Sequence, residues 1–298
     1  MLIRAHTYMD RLAEKCGEKS LGITRSFAEK WAKKRPNESE RYQYDRIRYL
    51  IQFSSYLCDL GIPSYLPRLP PSPKNTFIPY IYSREEMAAI FKACDALRLR
   101  AFQMQTNIIS VPALIRLLYG TGIRISEALA LRDEDVDLKN HYLRVKDCKN
   151  GKERIIPISD SLVTVCRDYL GYRNQLPLGR PPDRFFVRLD GKRCGSGVRQ
   201  WFIQCLQEAG IPYRGSKQGP RIHDLRHTFA VTSLANMAEA GIDLYVSLPI
   251  LSTYLGHQSL GATDHYVRLT ASMYPGLVKD VDLLCLNIFP KIHHYEAD

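Results

Sequence analysis

"TGIRISEALAL", Thr121–Leu131, follows directly on "PALIRLLYG", Pro112–Gly120. Proline suits the first turn of a helix and glycine its end, so a helix is expected from Pro112 to Gly120. The next stretch then reads as a sharp turn into a further helix. Arg124 falls in that turn, beside Gly120 and Gly122. A flexible backbone there can present a guanidinium outward, and its planar fork matches the oxygens of a phosphate.

Helical patterning dominates on both sides of this stretch. Upstream, Ser83 and Glu86 form a capping box ahead of the apolar stripe Met87, Ile90, Phe91 and Cys94. Further upstream, "PSYLPRLPPSPKNTFIP" (63–79) carries six prolines, which favour extended backbone and read as a linker. Three helical stretches precede it. Phe27 and Trp31 stand at i, i+4, and Asn37 with Glu40 reads as a capping box for the helix carrying Ile47, Leu50, Ile51 and Leu57. Gly61 and Pro63 stop that helix.

Downstream, "HYLRVKDCKNGKERIIPI" holds two β-rich runs around Asn150-Gly151, a strong hairpin signal. "RFFV" before Asp190-Gly191 is a candidate further strand. "GVRQWFIQCLQEAG" and the stretch from Asp224 through Asn236 read as helices.

The 298 residues favour two domains, and 45% hydrophobic with 24% charged residues is a soluble globular composition. Eight cysteines without a C-x-x-C pair read as reduced thiols rather than a disulfide framework or a zinc ribbon. The absence of a signal-like start and of a long apolar run gives the expectation of a cytoplasmic protein with no membrane partner. The net charge is +11, and residues 1–80 hold 14 Lys and Arg against 8 Asp and Glu. Such an excess suits a polyanionic partner, nucleic acid first, although a basic surface can also be inert.

Two more segments carry candidate chemistry. In "HDLRHTFA", His223 and Arg226 share one helical face at i, i+3. His223 and His227, at i, i+4, also mimic the H-E-x-x-H zinc pattern. The base would then be the shorter Asp224, and the fixed charge of Arg226 would oppose a dication, so no metal site is expected. His227 reads as a structural histidine. In "LGHQSLGATDHYVR", His257 precedes Tyr266 by nine residues. A phenol with a pKa of about 10 is a poor nucleophile unless neighbours assist it.

Taken in order, "TGIRISEALAL", "KNGKERIIPI", "HDLRHTFA" and "LGHQSLGATDHY" closely resemble the tyrosine recombinase (phage integrase) family. The family's catalytic order is Arg, Lys, His-x-x-Arg, His or Trp, Tyr. Carried over position by position, it implies Arg124, Lys149, His223, Arg226, His257 and Tyr266. Lys149 is preferred over Lys152 for its spacing to the E-R-x-x-P segment, and Glu127 matches an acidic position expected to orient active-site side chains. The stretch from Arg226 to His257 is longer than in compact members, with "MAEAGIDLYVSLPI" carrying the excess.

The resemblance implies a mainly α fold with a small β-sheet or hairpin. A helical core-binding domain over 1–66, a proline-rich linker over 67–80 and a catalytic domain over 81–298 with a C-terminal tail would form a C-shaped DNA clamp. It implies cutting and rejoining of DNA through a 3′-phosphotyrosyl bond, without ATP, metal or other cofactor. Arg124 and Arg226 would clamp the phosphate oxygens, His257 would add a hydrogen bond, His223 would take the proton of Tyr266, and Lys149 would protonate the leaving 5′-oxygen. The expected partner is double-stranded DNA bearing a specific site, on which monomers assemble into dimers or tetramers. Tyr266 is expected on a mobile segment, and 274–292 as a terminal helix docking on its own domain or a neighbour. The proline run and the long approach to His257 suggest a mobile-element integrase. The alternatives are a catalytically inactive DNA-binding accessory protein and a topoisomerase IB-like relaxing enzyme.

Overall fold

The computed structural model describes residues 2–73, 78–98, 103–146, 153–178, 181–215 and 219–256, with 263, 266, 269 and 270 beyond them. The chain divides into two compact units, Met1–Phe77 and Ile78–Asp298. The division falls inside the proline-rich stretch read as a linker.

Among the described residues the first unit holds three helices, α1 (Leu2–Cys16), α2 (Arg25–Ala32) and α3 (Glu40–Asp59). Met9, Phe27, Ala28, Trp31 and Leu50 form its core. Thr24 caps α2 by accepting the Phe27 N–H. The cap of α3 differs from the sequence reading. Ser39 is the capping residue and accepts the Tyr42 N–H at 3.2 Å, while Asn37 lies outside the helix at φ 61°. Glu40 is therefore the first helical residue, too early to reach back as a capping-box acid. The acid used here is Glu38, which pairs with Arg46 at 2.8 Å, and the Arg46 guanidinium lies over the Trp31 ring.

The second unit opens as the sequence indicates. Ser83 Oγ accepts the Glu86 N–H, Glu86 accepts the Ser83 N–H, and α4 (Arg84–Asp95) follows. Its centre is α5 (Val111–Thr121), with Val111, Leu114, Ile115 and Leu117 fully buried. α5 packs against α4, α7 (Asp160–Asn174) and α9 (Asp224–Glu239). It does not end at Gly120: the helix continues through Thr121 and is closed by Gly122 in the left-handed region, φ 60°. A Cβ at Gly122 would stand 2.4 Å from the Phe229 ring, so backbone sign and close packing both require glycine there.

The short helix α6 (Ile125–Ala128) follows, then a three-stranded antiparallel sheet in the order β1 (Val136–Asp137), β2 (Tyr142–Val145), β3 (Arg154–Pro157). Leu143 opposite Ile156 fills its buried face. The two hairpin strands are those the sequence indicates, and the turn at 147–152 lies outside the described residues. "RFFV" forms no strand of that sheet. Phe185, Phe186 and Val187 are fully buried, but they contribute only the bridge between Val187 and Arg193. α8 (Gly197–Glu208) packs on α4, and α10 (Leu244–Leu255) packs on α9. The added length before His257 thus appears as the end of α9 and most of α10. Among the described residues, no helix is long and apolar enough to cross a membrane.

Candidate active site

Where α5 stops, Gly122 turns the chain and delivers Arg124 to the start of α6 in extended conformation. Glu127, in the first turn of α6, accepts the Arg124 backbone N–H at 2.9 Å and its guanidinium at 2.8 Å. The same carboxylate accepts Arg154 Nη2 at 2.8 Å. Arg154 opens β3, and its Nε donates to the Tyr254 carbonyl near the end of α10, 3.0 Å away. One buried carboxylate thus holds the Arg124 turn, the hairpin and the end of α10 together. Burial pushes the Glu127 carboxyl up, but the hydrogen bonds and charges of Arg154 and Arg124 outweigh it and keep it below the usual range.

Arg226 sits in the first turn of α9 and is 3% exposed. Its Nη1 donates to the Gly122 carbonyl and its Nη2 to the Leu255 carbonyl, each at 2.8 Å. Those oxygens lie at the C-terminal ends of α5 and α10, where helix carbonyls lack partners and the helix dipole is negative. Among the described residues no carboxylate forms an ion pair with Arg226. Burial and the neighbouring charge of Arg124 hold its pKa down to about 10, so it remains a cation at neutral pH.

The start of α9 is itself anchored. Asp224, fully buried, accepts the Arg221 N–H at 2.8 Å and its guanidinium at 2.9 Å. Thr228 Oγ1 accepts the Tyr82 N–H from the strand-like entry into this unit. Asp224 is therefore engaged as an anchor rather than set out as the general base of a zinc site.

Tyr266 is 3% exposed and packs with Ala230, Val231, Leu234, Leu251 and Leu255. Thr263 and Thr270, one turn to either side, are buried as well. The phenol is docked against α9 and α10 rather than held out in solvent. Its hydroxyl lies 3.0 Å from His227 Nδ1. Burial raises the phenol pKa, and the charges of Arg226 and Arg124 with a hydrogen bond from Arg226 work against that rise.

His223 precedes α9, its ring 5.1 Å from that of His227 and nearly perpendicular to it. Desolvation first, and then the charges of Arg226 and Arg221, hold its imidazole below the ordinary value. The structure therefore brings Arg124, His223, Arg226 and Tyr266 to one place. Lys149 and His257 lie outside the described residues, as does 274–292. Reading the sequence missed two contributors. His227, taken as structural, contacts the phenol; its signal was the shared helical face with His223. Arg154 carries no sequence signal of this role beyond its place in the E-R-x-x-P segment.

A buried phenol flanked by two guanidiniums is suited to attack on a phosphodiester, whose transition state gathers negative charge on its non-bridging oxygens. Comparison with known proteins agrees. The Phage integrase family model matches residues 82–273. The protein y4rB of Sinorhizobium fredii, named as an integrase/recombinase, is 31% identical over 87% of this chain and 82% of its own length. Tyrosine recombinase XerA of Pyrococcus horikoshii is 30% identical over 77% of this chain and 71% of its own. Among solved structures, the Tn1549 transposon integrase in complex with transposon right-end DNA superposes with a TM-score of 0.60 at 16% identity, covering 89% of this chain and 92% of that one. A lambda integrase dimer bound to a COC′ core site gives 0.55 at 14% identity, covering 88% and 94%. These structural likenesses establish the shared fold. The chain belongs to the phage integrase family of tyrosine recombinases.

Proposed function

We propose that this chain is a site-specific DNA recombinase that integrates or excises a mobile element in the cytoplasm of its host. The observation that carries the reading is the burial of the Tyr266 phenol beside Arg226, a cation with no carboxylate partner among the described residues. That charge is matched by a scissile phosphate.

In the proposed reaction the Tyr266 oxygen attacks phosphorus and the bond to the 5′-oxygen breaks. A 3′-phosphotyrosyl bond forms and a 5′-hydroxyl is released. The energy of the phosphodiester is retained in the covalent link, so rejoining to a new 5′-hydroxyl needs no ATP. Arg124 and Arg226 stabilise the charge on the non-bridging oxygens, a role metal ions fill in other phosphoryl-transfer sites. Lys149 protonates the departing oxygen and His257 adds a donor to the phosphate. The basic first unit adds salt-dependent contacts to the DNA backbone. Lambda integrase, which shares this fold, is solved as a dimer bound to a core site, which supports assembly of this chain on paired sites.

The test is a nicked suicide substrate carrying the candidate site, incubated with the protein in EDTA and resolved on a denaturing gel. The expected result is a covalent DNA–protein band that is absent in Tyr266→Phe. Binding of the site without any such band would favour the inactive accessory protein. Relaxation of supercoiled DNA without strand exchange would favour a topoisomerase-like enzyme.

A further inference from the structure

The phenol has to lose a proton, and its surroundings limit where that proton can go. Tyr266 is 3% exposed, so bulk water has little access to its hydroxyl. From α9 and from the turn before α6, Arg226 and Arg124 bear on it, but guanidiniums are permanently protonated and accept nothing. Glu127 is committed to Arg124 and Arg154. At the phenol oxygen Arg226 donates a hydrogen bond, and His227 Nδ1, which can accept a proton, lies 3.0 Å away with the two ring centres 5.6 Å apart.

We infer that His227 is a catalytic residue that accepts the Tyr266 proton through Nδ1, in place of the His223 suggested by sequence. This rests on the recombinase reading above. During cleavage the phenolic O–H bond breaks, its proton moves to Nδ1, and the oxygen forms the bond to phosphorus. The P–O5′ bond breaks, and the electron pair leaves with the 5′-oxygen, which is protonated by Lys149. In rejoining, the His227 imidazolium returns its proton to the departing phenolate. The ring of His223, at the N-cap of α9, stands against that of His227, 5.1 Å away. His223 packs on the ring of His227, Arg226 and Arg124 act on the phenol, and Arg124, Glu127 and Arg154 act on Arg226. The imidazolium formed beside two arginines is favoured only once the phosphate is in place, which couples proton removal to DNA binding.

The experiment measures single-turnover formation of the covalent complex on the nicked substrate, across the range in which imidazole titrates. Gel-shift binding to the same DNA is followed in parallel. The wild-type rate should fall on the acid side as His227 becomes protonated. His227→Asn, which keeps a polar atom near the Nδ1 position, should bind DNA normally and lose about 10²–10⁴-fold in cleavage, without the acid limb. Added imidazole should restore part of the rate in His227→Ala. His223→Asn should keep the acid limb. A His227→Asn enzyme within about threefold of wild type and with an unchanged limb would overturn the assignment, since general-base removal costs far more. Loss of the limb in His223→Asn instead would do the same. His227→Gln serves as the second variant if His227→Asn fails to fold, and a wild-type rate without any acid limb overturns the inference with no variant at all. Absence of a covalent complex in wild type would sink the recombinase reading itself, a result distinct from these.

Discussion

Arg46 in the first unit and Arg226 in the second are buried almost equally, at 4% and 3% exposure, yet their surroundings differ in kind. Arg46 has its counterion in place. Glu38 accepts two of its hydrogen bonds, at 2.8 and 2.9 Å, and the guanidinium lies over Trp31. Arg226 has two backbone carbonyls instead, drawn from the ends of two helices. Carbonyls orient a guanidinium without neutralising it. The first arrangement completes the packing of a helical bundle, and the second leaves a cation ready for an anion that arrives later. Burial of an arginine therefore says little about its role until its partners are counted.

The sharpest way to break this comparison is to exchange each cation for one of the wrong shape. Arg226→Lys keeps the charge but cannot span both carbonyls and a phosphate oxygen. Cleavage should fall about 10²–10³-fold in single-turnover assays while site binding persists. Arg46→Lys should leave cleavage by the folded protein unchanged. Loss of cleavage in Arg46→Lys at full DNA occupancy would erase the distinction.

Stability should show the opposite order. Arg46→Met strands the Glu38 carboxylate, whose side chain is 3% exposed, and should cost about 3 kcal/mol in urea unfolding. Arg226→Met strands no carboxylate and should cost less than Arg46→Met in the same measurement.

A smaller effect tests how Arg226 is held. Gly122→Ala forces a side chain into the left-handed region and against Phe229, and should cost about 2 kcal/mol. Because the Gly122 carbonyl anchors Arg226, this variant should also slow cleavage at a temperature where it stays folded. A destabilised enzyme with full activity would mean that this carbonyl does not position the guanidinium.

The smallest expected effect concerns pH. The folded-state pKa of Glu127 is depressed, so its contribution to stability is complete above the unfolded value of about 4.3 and is lost as pH falls through the lower folded value. Acid unfolding below about pH 4 should accordingly be less steep in Glu127→Gln than in wild type. Superimposable acid curves would show that the carboxylate is not stabilised by Arg124 and Arg154.

Much of this architecture was legible because it is local. The Ser83–Glu86 capping box, the two hairpin strands and the helix opening at Asp224 each depend on residues a few positions apart. The misreadings arose where distant contacts decide. Gly120 and Gly122 are equally plausible helix ends by type, and the Phe229 ring packed on Gly122 shows where glycine is indispensable. "RFFV" has strand-like residues, but Phe185 and Phe186 stack with Tyr169 in the core instead of pairing along a sheet edge. Asn37 resembled a cap only until its positive φ and the Ser39 hydroxyl were seen. The site followed the same rule. Motif order placed Arg124, His223, Arg226 and Tyr266, whereas the choice between two histidines on one helical face depends on where α10 and the following segment bring the phenol.

The most direct measurement is to digest the covalent complex from the suicide substrate and locate the nucleotide remnant by mass spectrometry. The chain has 18 tyrosines, so the position is informative. The account predicts the remnant on the peptide containing Tyr266 and nowhere else. A remnant on another tyrosine, or on a serine, would contradict it and move the nucleophile away from Arg226.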